Sequence, residues 1–316
     1  MSSSQHPILS VVVVIVGDTL EPRADVNHLA GCLDALSRQI DAPPMEIIVP
    51  YHQYVDGIED LTRRFPHASF IAISGLEISP GSREHHDILR SRGMLAAHGE
   101  VIALLEDQGR PNERWCANTV AAHRSGYAAI GGAIENDIDR PLNWAVYYCD
   151  FGKYQNPLPT GESTFASDAN VSYKRSALES IRSTWEKSFR EVVVNGKLMS
   201  LGEKLALQSN IIVYQHRSDL RLGSALRERY VWGRSYAATR SELLSSSKRM
   251  TYAALSPVLP VILMLRMADT AWKRRNHFRQ FLGALHFTAM LVVTWSLGEC
   301  VGYLCGVRQH SQIISS

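Results

Sequence analysis

Two adjacent carboxylates, Glu106 and Asp107, follow the apolar run 101–105 and precede the Gly-Arg-Pro turn at 109–111. A short apolar run bounded by glycines predicts a strand that is covered on both faces. Ligands of α/β sheets bind beyond the carboxyl ends of the strands. The two acids are therefore candidates for a binding or catalytic site, although acids also occur at turns where they only cap the next segment.

The elements that would position these acids can be predicted from the preceding chain. Residues 8–16, 46–49 and 69–74 have strand-like composition. Between the first two lies a helical pattern after a possible Asp25 cap. Its apolar positions are Val26, Leu29, Leu33 and Leu36. Strands that alternate with helices predict an α/β fold with a doubly wound, mostly parallel sheet and helices on both faces.

Composition excludes several classes of protein. The chain has 316 residues, with 33 Lys and Arg against 31 Asp and Glu, so no strong field favours nucleic acid as a partner. The five cysteines are scattered and form no Cys-x-x-Cys pair. They predict free thiols rather than a disulfide framework or a zinc site.

The composition changes near residue 245, where two apolar segments begin. The segment 281–307 is a candidate transmembrane helix, since a span takes roughly 20 apolar residues. The segment of about 253–267 is shorter and contains Pro257 and Pro260, so we predict an interfacial helix. The expected domains are thus 1–240 and a C-terminal membrane-associated helical region, 241–316.

The basic linker between these segments predicts their orientation. It contains Lys273, Arg274, Arg275 and Arg279. An interfacial first helix keeps this linker on the cytoplasmic side, in agreement with the positive-inside tendency. This favours the inner membrane with the preceding domain facing the cytoplasm. The alternative is that both segments are core or dimer-interface helices of a soluble protein.

Several segments, taken in order, resemble the family 2 glycosyltransferases of the GT-A fold, in particular membrane-associated bacterial members. The similarity covers about residues 7–240. The matching segments are PILSVVVVIV, HLAGCLDALSRQ, EIIVP, LRSRGMLAAHGEVIALLEDQGRPNERW, ASDANVSYKRSALE and WGRSYAATR. The resemblance implies transfer of a sugar, of the hexosyl type, from a nucleoside-diphosphate sugar to a glycan or lipid-linked acceptor, as in polysaccharide biosynthesis.

The resemblance assigns donor-side roles to the acidic motif. In this family the motif is usually Asp-x-Asp, and its acids contact the nucleotide and a divalent cation, Mn or Mg, which stabilises the departing diphosphate. Here it is Glu106-Asp107-Gln108, so Glu106 and Asp107 are the expected nucleotide contacts and Asp107 also a catalytic residue. Asp107, Gln108 and His216 are the candidate metal ligands. Gln108 is a poorer ligand than a carboxylate, and cationic side chains could replace the metal.

Further donor contacts come from other matching positions. Arg90 and Arg92 stand where family members have a basic residue that faces the phosphate. We prefer Arg92 for this contact. The aspartate expected at the end of the second strand is missing from Val49-Pro50-Tyr51-His52, and Asp56 in the next loop is its possible substitute.

The resemblance also implies a general base on the acceptor side. In the family this acid lies about a dozen residues before a glycine, and counting back from Gly202 places it at Glu191. Glu186 and then Asp168 are the alternatives. The candidate substrate-binding residues are Asp168, Asn170, Arg229 and Trp232.

The expected mechanism is inverting, by a single displacement. One alternative is a catalytically weakened nucleotide-sugar-binding protein of the same fold, which Gln108 and the missing aspartate favour. A nucleotidyltransferase is disfavoured because no glycine-rich, lysine-containing phosphate loop follows Val16.

Overall fold

A computed structural model describes residues 6–17, 20, 24, 26–78, 82–241 and 244–305. The proposed Asp25 cap and the last residues of the predicted 281–307 helix lie outside these ranges. The described strands are β1 (Leu9–Val14), β2 (Met45–His52), β3 (Ala68–Ile73), β4 (Val101–Glu106), β5 (Gly109–Pro111), β6 (Ala129–Asn136), β7 (Gly161–Ser163), β8 (Asn170–Lys174) and β9 (Leu205–Gln215).

The helices alternate with the strands in the first two thirds of the chain and follow one another in the last third. They are α1 (Asn27–Ser37), α2 (Ile58–Arg64), α3 (Glu84–Ala96), α4 (Trp115–Ala122), α5 (Pro141–Asp150), α6 (Arg175–Ser180), α7 (Arg182–Trp185), α8 (Glu191–Ser200), α9 (Leu222–Ser241), α10 (Ser246–Leu255), α11 (Leu259–Arg274) and α12 (Phe278–Cys305). Short 3₁₀ turns occur at Gly152–Tyr154 and Ser256–Val258.

The described strands form one sheet in the order β3-β2-β1-β4-β8-β6-β9-β5, with β7 beside β9. Neighbours β3-β2-β1-β4 are parallel, as are β6 and β9. β8 runs antiparallel between β4 and β6. The predicted doubly wound, mostly parallel α/β sheet is therefore confirmed.

β1 shows why helices cover both faces of the sheet. Its six residues are all buried, and successive side chains point to opposite faces. Val11 and Val13 pack in one cluster with Leu29 and Leu33 of α1. Val12 and Val14 pack in the other cluster, with Leu89 and Met94 of α3. A continuous apolar strand is thus stabilised on each side by one apolar helix face.

Gly93 brings α3 unusually close to the sheet. A Cβ at this position would overlap the Val12 side chain and press on Pro50, so a larger residue would push the helix away. This close approach fixes the height of α3 above β1 and β2. It thereby sets the position of Arg90, one helical turn earlier on the same face.

The chain divides by contacts into two units. The first contains residues up to 78, 83–137 and 154–216, and the second mainly 138–153 and the chain from 217 onward. The predicted boundary at residue 240 would separate α9 from α12, the helix on which it packs. Which segments fold alone remains a prediction.

Two helical segments of the second unit are long and apolar enough to cross a membrane, Ser246–Arg274 and Phe278–Cys305. The first is longer than the predicted 253–267. Pro257 and Pro260 do not end it because each stands in the first turn of a new helical segment, where no backbone N–H donor is needed.

Candidate active site

The acidic motif lies at the point where strand order reverses. β2 is on one side of β1 and β4 on the other, and such switch points open a crevice at the carboxyl ends of the strands. Asp107 joins the two strand ends, because its N–H donates to the Val14 carbonyl (2.9 Å) and its Oδ1 accepts from the Val16 N–H (3.0 Å). Glu106 and Asp107 are 5% and 2% exposed. Their predicted position at a strand end is thus confirmed.

Two arginines of the α3 region contact Glu106. Arg90 Nη2 lies 3.0 Å from Glu106 Oε1, and Arg83 Nη2 lies 3.3 Å from the same oxygen. Arg90 is 1% exposed, whereas the side chain of Arg83 is 45% exposed. The Arg90 guanidinium is therefore buried against the acid, whereas the Arg83 guanidinium can also contact a ligand from solvent.

Arg90 also connects Glu106 to two further acids. Its Nη2 lies 2.8 Å from Asp168 Oδ2, and its Nη1 lies 3.5 Å from Asp87 Oδ1. A buried cation shared by three carboxylates is strongly held, since a buried charge needs compensation.

Arg90 lowers the pKa of both aspartates, but their net pKa shifts are opposite. Burial raises the pKa of Asp87 to about 6, with the charge of Arg90 opposing the rise and that of Asp168 adding to it. Burial also acts to raise the pKa of Asp168, but the charges of Arg90 and Arg83 and hydrogen bonding with Glu191 bring it below its usual value. Asp168 therefore loses its proton at a lower pH than Asp87 does.

α8 begins beside α3, and two hydrogen bonds fix its approach. The Phe189 N–H donates to the Asp87 carbonyl (2.9 Å), and the Ser91 hydroxyl donates to the Glu186 carbonyl (2.6 Å). Glu191, the first residue of α8, then accepts the Asp168 N–H on Oε2 at 2.5 Å. A continuous path of contacts runs from Glu106 through Arg90 and Asp168 to Glu191.

The structure separates the alternatives for two of the predicted roles. The side chain of Glu186 is 40% exposed and pairs with Arg182, outside this path of contacts. Arg92 is exposed, and the arginine that meets the acids is Arg90, two residues earlier on another face of α3. Asp56 is exposed in the turn after β2, where its N–H donates to the Ala24 carbonyl.

Asn170, predicted to bind substrate, is 1% exposed and connects three elements. Its amide nitrogen donates to the carbonyls of Ala133 (2.8 Å) and Ile211 (3.0 Å), and its oxygen accepts from the Trp115 indole (2.9 Å). The bonding capacity of its carboxamide is used within the sheet. Asn170 therefore has a structural role in this conformation.

The candidate metal ligands do not form one group. His216 Nδ1 lies 2.5 Å from Asp137 Oδ2, while the His216 N–H donates to the Gln108 carbonyl at 2.8 Å. Glu106 is held by two arginines, and Asp107 accepts a backbone bond. Among the described residues, no three His, Cys, Asp or Glu side chains are arranged to hold a metal. The residues present thus do not fit a resident cation, and no step below depends on one.

Arg229 and Trp232 lie in the second unit, where they contact each other and α5. Arg229 is bidentate to Asp150, at 2.7 and 2.5 Å, and stands 5.2 Å from the Trp232 ring centroid. Burial would lower the pKa of Arg229, but Asp150 raises it well above its ordinary value. The predicted substrate contact is thus part of a buried ion pair.

Arg83 and Asp87 were not predicted from the sequence. Arg83, at the N-cap of α3, is four residues before Asp87, and Asp87 is three residues before Arg90, which is how neighbours on one face of a helix recur. A search for charges at this spacing upstream of the acidic motif would have found them.

No family model matches the chain, and no curated protein matches it either. The chain is similar in structure to the mannosyltransferase PcManGT from Pyrobaculum calidifontis, solved with GDP-Man and Mn²⁺. That similarity has a TM-score of 0.48 and 14% identity, and it covers 98% of this chain and 79% of the other. TarS residues 1–349 from S. aureus, solved with UDP, gives a TM-score of 0.47 and 14% identity, over 92% and 91% of the chains.

Proposed function

We propose that the chain is an inverting glycosyltransferase. It transfers a sugar, of the hexosyl type, from a nucleoside diphosphate to a glycan or lipid-linked acceptor. The observation that carries this proposal is the path of contacts from Glu106 to Glu191, which begins at the switch point of a doubly wound sheet. The order of the matching sequence segments supports it independently.

The donor side needs positive charge to stabilise the leaving diphosphate. Arg83 is the suitable residue, because its half-exposed guanidinium is held beside Glu106 and presents donors that match phosphate oxygens. Asp107 fixes the ends of β1 and β4 and so shapes the floor of this subsite. Arg90 is a positioning residue, since its buried guanidinium contacts Glu106 and Asp168 through Nη2.

Glu191 is the proposed general base. Arg90 and Arg83 lower the pKa of Asp168, and the ion pair with Arg90 makes the Asp168 carboxylate a weak proton acceptor. Glu191 is therefore the better acceptor for the acceptor-hydroxyl proton. As that proton moves to Glu191, the oxygen bonds to the anomeric carbon and the bond from this carbon to the diphosphate breaks, with inversion.

Polysaccharide biosynthesis at the inner membrane, with the catalytic unit facing the cytoplasm, agrees with this chemistry. Nucleotide sugars are polar donors that this unit would meet in the cytoplasm, and lipid-linked acceptors lie at the membrane. The apolar C-terminal helices support membrane attachment.

A catalytically weakened nucleotide-sugar-binding protein is the second candidate. Gln108 favours it, and so does the end of β2, where the expected aspartate is replaced by the sequence Val-Pro-Tyr-His and His52 is 1% exposed. Such a protein would bind the donor without turning it over.

A nucleotide-release assay separates the two candidates. The full chain is incubated with a panel of UDP-, GDP- and dTDP-sugars and membrane lipid extract, and released nucleoside diphosphate is measured together with the anomeric configuration of the product. Release with inversion, lost in Glu191→Gln but kept in Glu186→Gln, supports the enzyme. Donor binding without release in the wild type would favour the binding protein.

A further inference from the structure

We propose that α9–α12 form a bundle that lies flat on an anionic bilayer and that α12 does not cross it. The inference concerns attachment and does not depend on sugar transfer. It differs from the predicted transmembrane helix at 281–307. The observations come entirely from the second unit.

The first observation is how closely α9 and α12 pack. Gly233 of α9 faces the Trp295 carbonyl, while Gly298 and Gly302 of α12 face the carbonyls of Tyr230 and Arg234. A Cβ on any of these glycines would collide with the backbone of the facing helix. Residue numbers in these contact pairs increase in the same direction along both helices, so α9 and α12 run in parallel.

The contact also extends along most of α12. Near its beginning, the Tyr148 ring of α5 lies 5.0 Å from Phe281, and Ala225 of α9 shares an apolar cluster with Ala284 and Leu291. Near its end, Arg240 of α9 donates to the Tyr303 hydroxyl at 3.3 Å. α12 therefore cannot enter hydrocarbon unless α9 enters with it.

α9 is unsuited to hydrocarbon. Its charged residues are Arg227, Glu228, Arg229, Arg234 and Arg240. Arg227 and Arg240 are exposed, one near each end of the helix, and would face lipid in a crossing bundle. Charged side chains within a span are expensive and face a protein interior or a water-filled cavity. The arrangement thus favours a bundle at the surface.

The second observation is a set of apolar side chains that face outward. In an apolar stretch of 18 residues within Ser246–Arg274, only 11% is buried. On this segment the exposed apolar side chains are Met250, Leu255, Val258, Val261, Ile262, Leu265 and Trp272, and on α12 they are Leu282, Met290, Val293, Leu297 and Leu304. Helices with one apolar and one polar face lie in the plane of the interface.

The third observation is the charge that borders these residues. Four basic residues lie around the junction of α11 and α12, beside Trp272: Lys273 and Arg274 at the end of α11, Arg275 in the turn and Arg279 at the start of α12. Arg275 lies 5.2 Å from the Trp272 ring centroid. Tryptophan and basic residues are enriched at the level of lipid headgroups, and clustered cations attract anionic lipid. These features favour an anionic bilayer over a second copy of the chain as the partner.

Vesicle flotation tests the partner. The full chain, exchanged from mild detergent, is mixed with vesicles of phosphatidylcholine alone or with one quarter phosphatidylglycerol. We expect binding to the anionic vesicles that 0.5 M NaCl weakens, and about tenfold or more weaker binding for Lys273→Glu with Arg275→Glu. The matched control, Arg63→Glu with Arg114→Glu in the first unit, should bind as the wild type does.

Sidedness of labelling tests whether α12 crosses. Ser247→Cys and Asn276→Cys stand near opposite ends of the bundle, and both positions are exposed. They are placed singly in a chain whose Cys149, Cys300 and Cys305 are alanine; Cys32 and Cys116, which are 0% exposed, stay. An impermeant maleimide is added to spheroplasts and to inside-out vesicles of expressing bacteria.

The proposal expects both positions to react in inside-out vesicles only. Reaction of the two positions from opposite sides would show a crossing helix and overturn it. A stable dimer that floats with neither vesicle would also overturn it, because the apolar side chains would then be covered by a second copy.

Discussion

Two buried arginine–aspartate contacts in this molecule differ in what else they touch. In the first unit, Arg90 is shared among Glu106, Asp168 and Asp87, and one further contact leads to Glu191. In the second unit, Arg229 has both terminal nitrogens on Asp150 and its face near Trp232. Both arginines are nearly inaccessible to solvent.

The difference indicates which pair serves chemistry and which serves stability. A bidentate pair satisfies both partners and leaves little to respond to a ligand. A cation shared by several acids couples their protonation, so that a proton gained by one changes the others. The same two residue types thus give a closed structural contact in one region and a responsive one in the other.

The largest expected effect is at the end of the shared network. Glu191→Gln should lower the transfer rate by ~10²–10⁴-fold while donor affinity is kept, because only the proton acceptor is lost. Single-turnover rates with calorimetric donor affinity measure this. Glu186→Gln is the matched control; if it loses as much activity as Glu191→Gln, the role of base is wrongly assigned.

Substitutions in the Arg229–Asp150 pair should change the stability of the protein. Arg229→Met leaves Asp150 buried without its partner and should lower the free energy of unfolding by ~3–5 kcal/mol. Arg229→Met with Asp150→Leu should recover much of that loss, because no charge remains buried. Arg182→Met, at an exposed pair, should change stability by less than about 1 kcal/mol. A double variant no more stable than the single one would contradict this interpretation.

The acidic motif should be needed for turnover and not for folding. Asp107→Asn or Glu106→Gln should lower transfer by at least ~10²-fold, because Glu106 holds Arg83, the proposed contact of the leaving diphosphate, and Asp107 fixes the strand ends that shape this subsite. Circular dichroism and thermal unfolding should show a folded protein. Transfer at the wild-type rate in both variants would show that Glu106 and Asp107 are not part of the active site.

Asp87 makes the shared network sensitive to pH. Because burial raises its pKa from 3.8 to about 6, its contribution to stability is present below pH 4 and is lost as the pH rises through 6. Asp87→Asn cannot ionise, so from pH 4 to 7 its stability relative to wild type should increase by up to about 2 kcal/mol, after allowing for partial exposure. Denaturant unfolding at both pH values measures the difference. An unchanged difference would mean that Asp87 is not coupled as described.

The smallest expected effect concerns cations. Gln108→Asp adds a carboxylate beside Asp107 and should strengthen manganese binding, by ~tenfold at most. Asn210→Asp adds the same charge at an exposed position of β9 and is the control. Tight, stoichiometric manganese binding by the unmodified chain, measured by calorimetry, would contradict the described ligand geometry.

The fold was predictable where the local pattern was strong. The first four strands were placed within three residues of their observed ends, and the apolar positions of α1 face the core as expected. Long apolar runs and helical spacing determine these elements locally. The extent of the segment 246–274 was underestimated, because prolines in a first turn are compatible with a helix.

The site was less predictable because its contacts are not local. The sequence alone offers Arg90 and Arg92 for the same role. The packing of α3 on the sheet at Gly93 places Arg90 in contact with Glu106. Asn170 and Arg229 have the composition of ligand-binding residues, yet tertiary partners distant in sequence use their donors. Such pairing cannot be derived from spacing alone.

We expect the site at the switch point, which Glu106 and Asp107 help to form, to bind a nucleotide sugar. Titration calorimetry of the full chain with a panel of nucleotide sugars, with and without manganese, tests it most directly, with Asp107→Asn run alongside. We expect saturable binding of at least one donor by the wild type and at least ~tenfold weaker binding by the variant. Binding of no donor, or equal binding by both proteins, would contradict it.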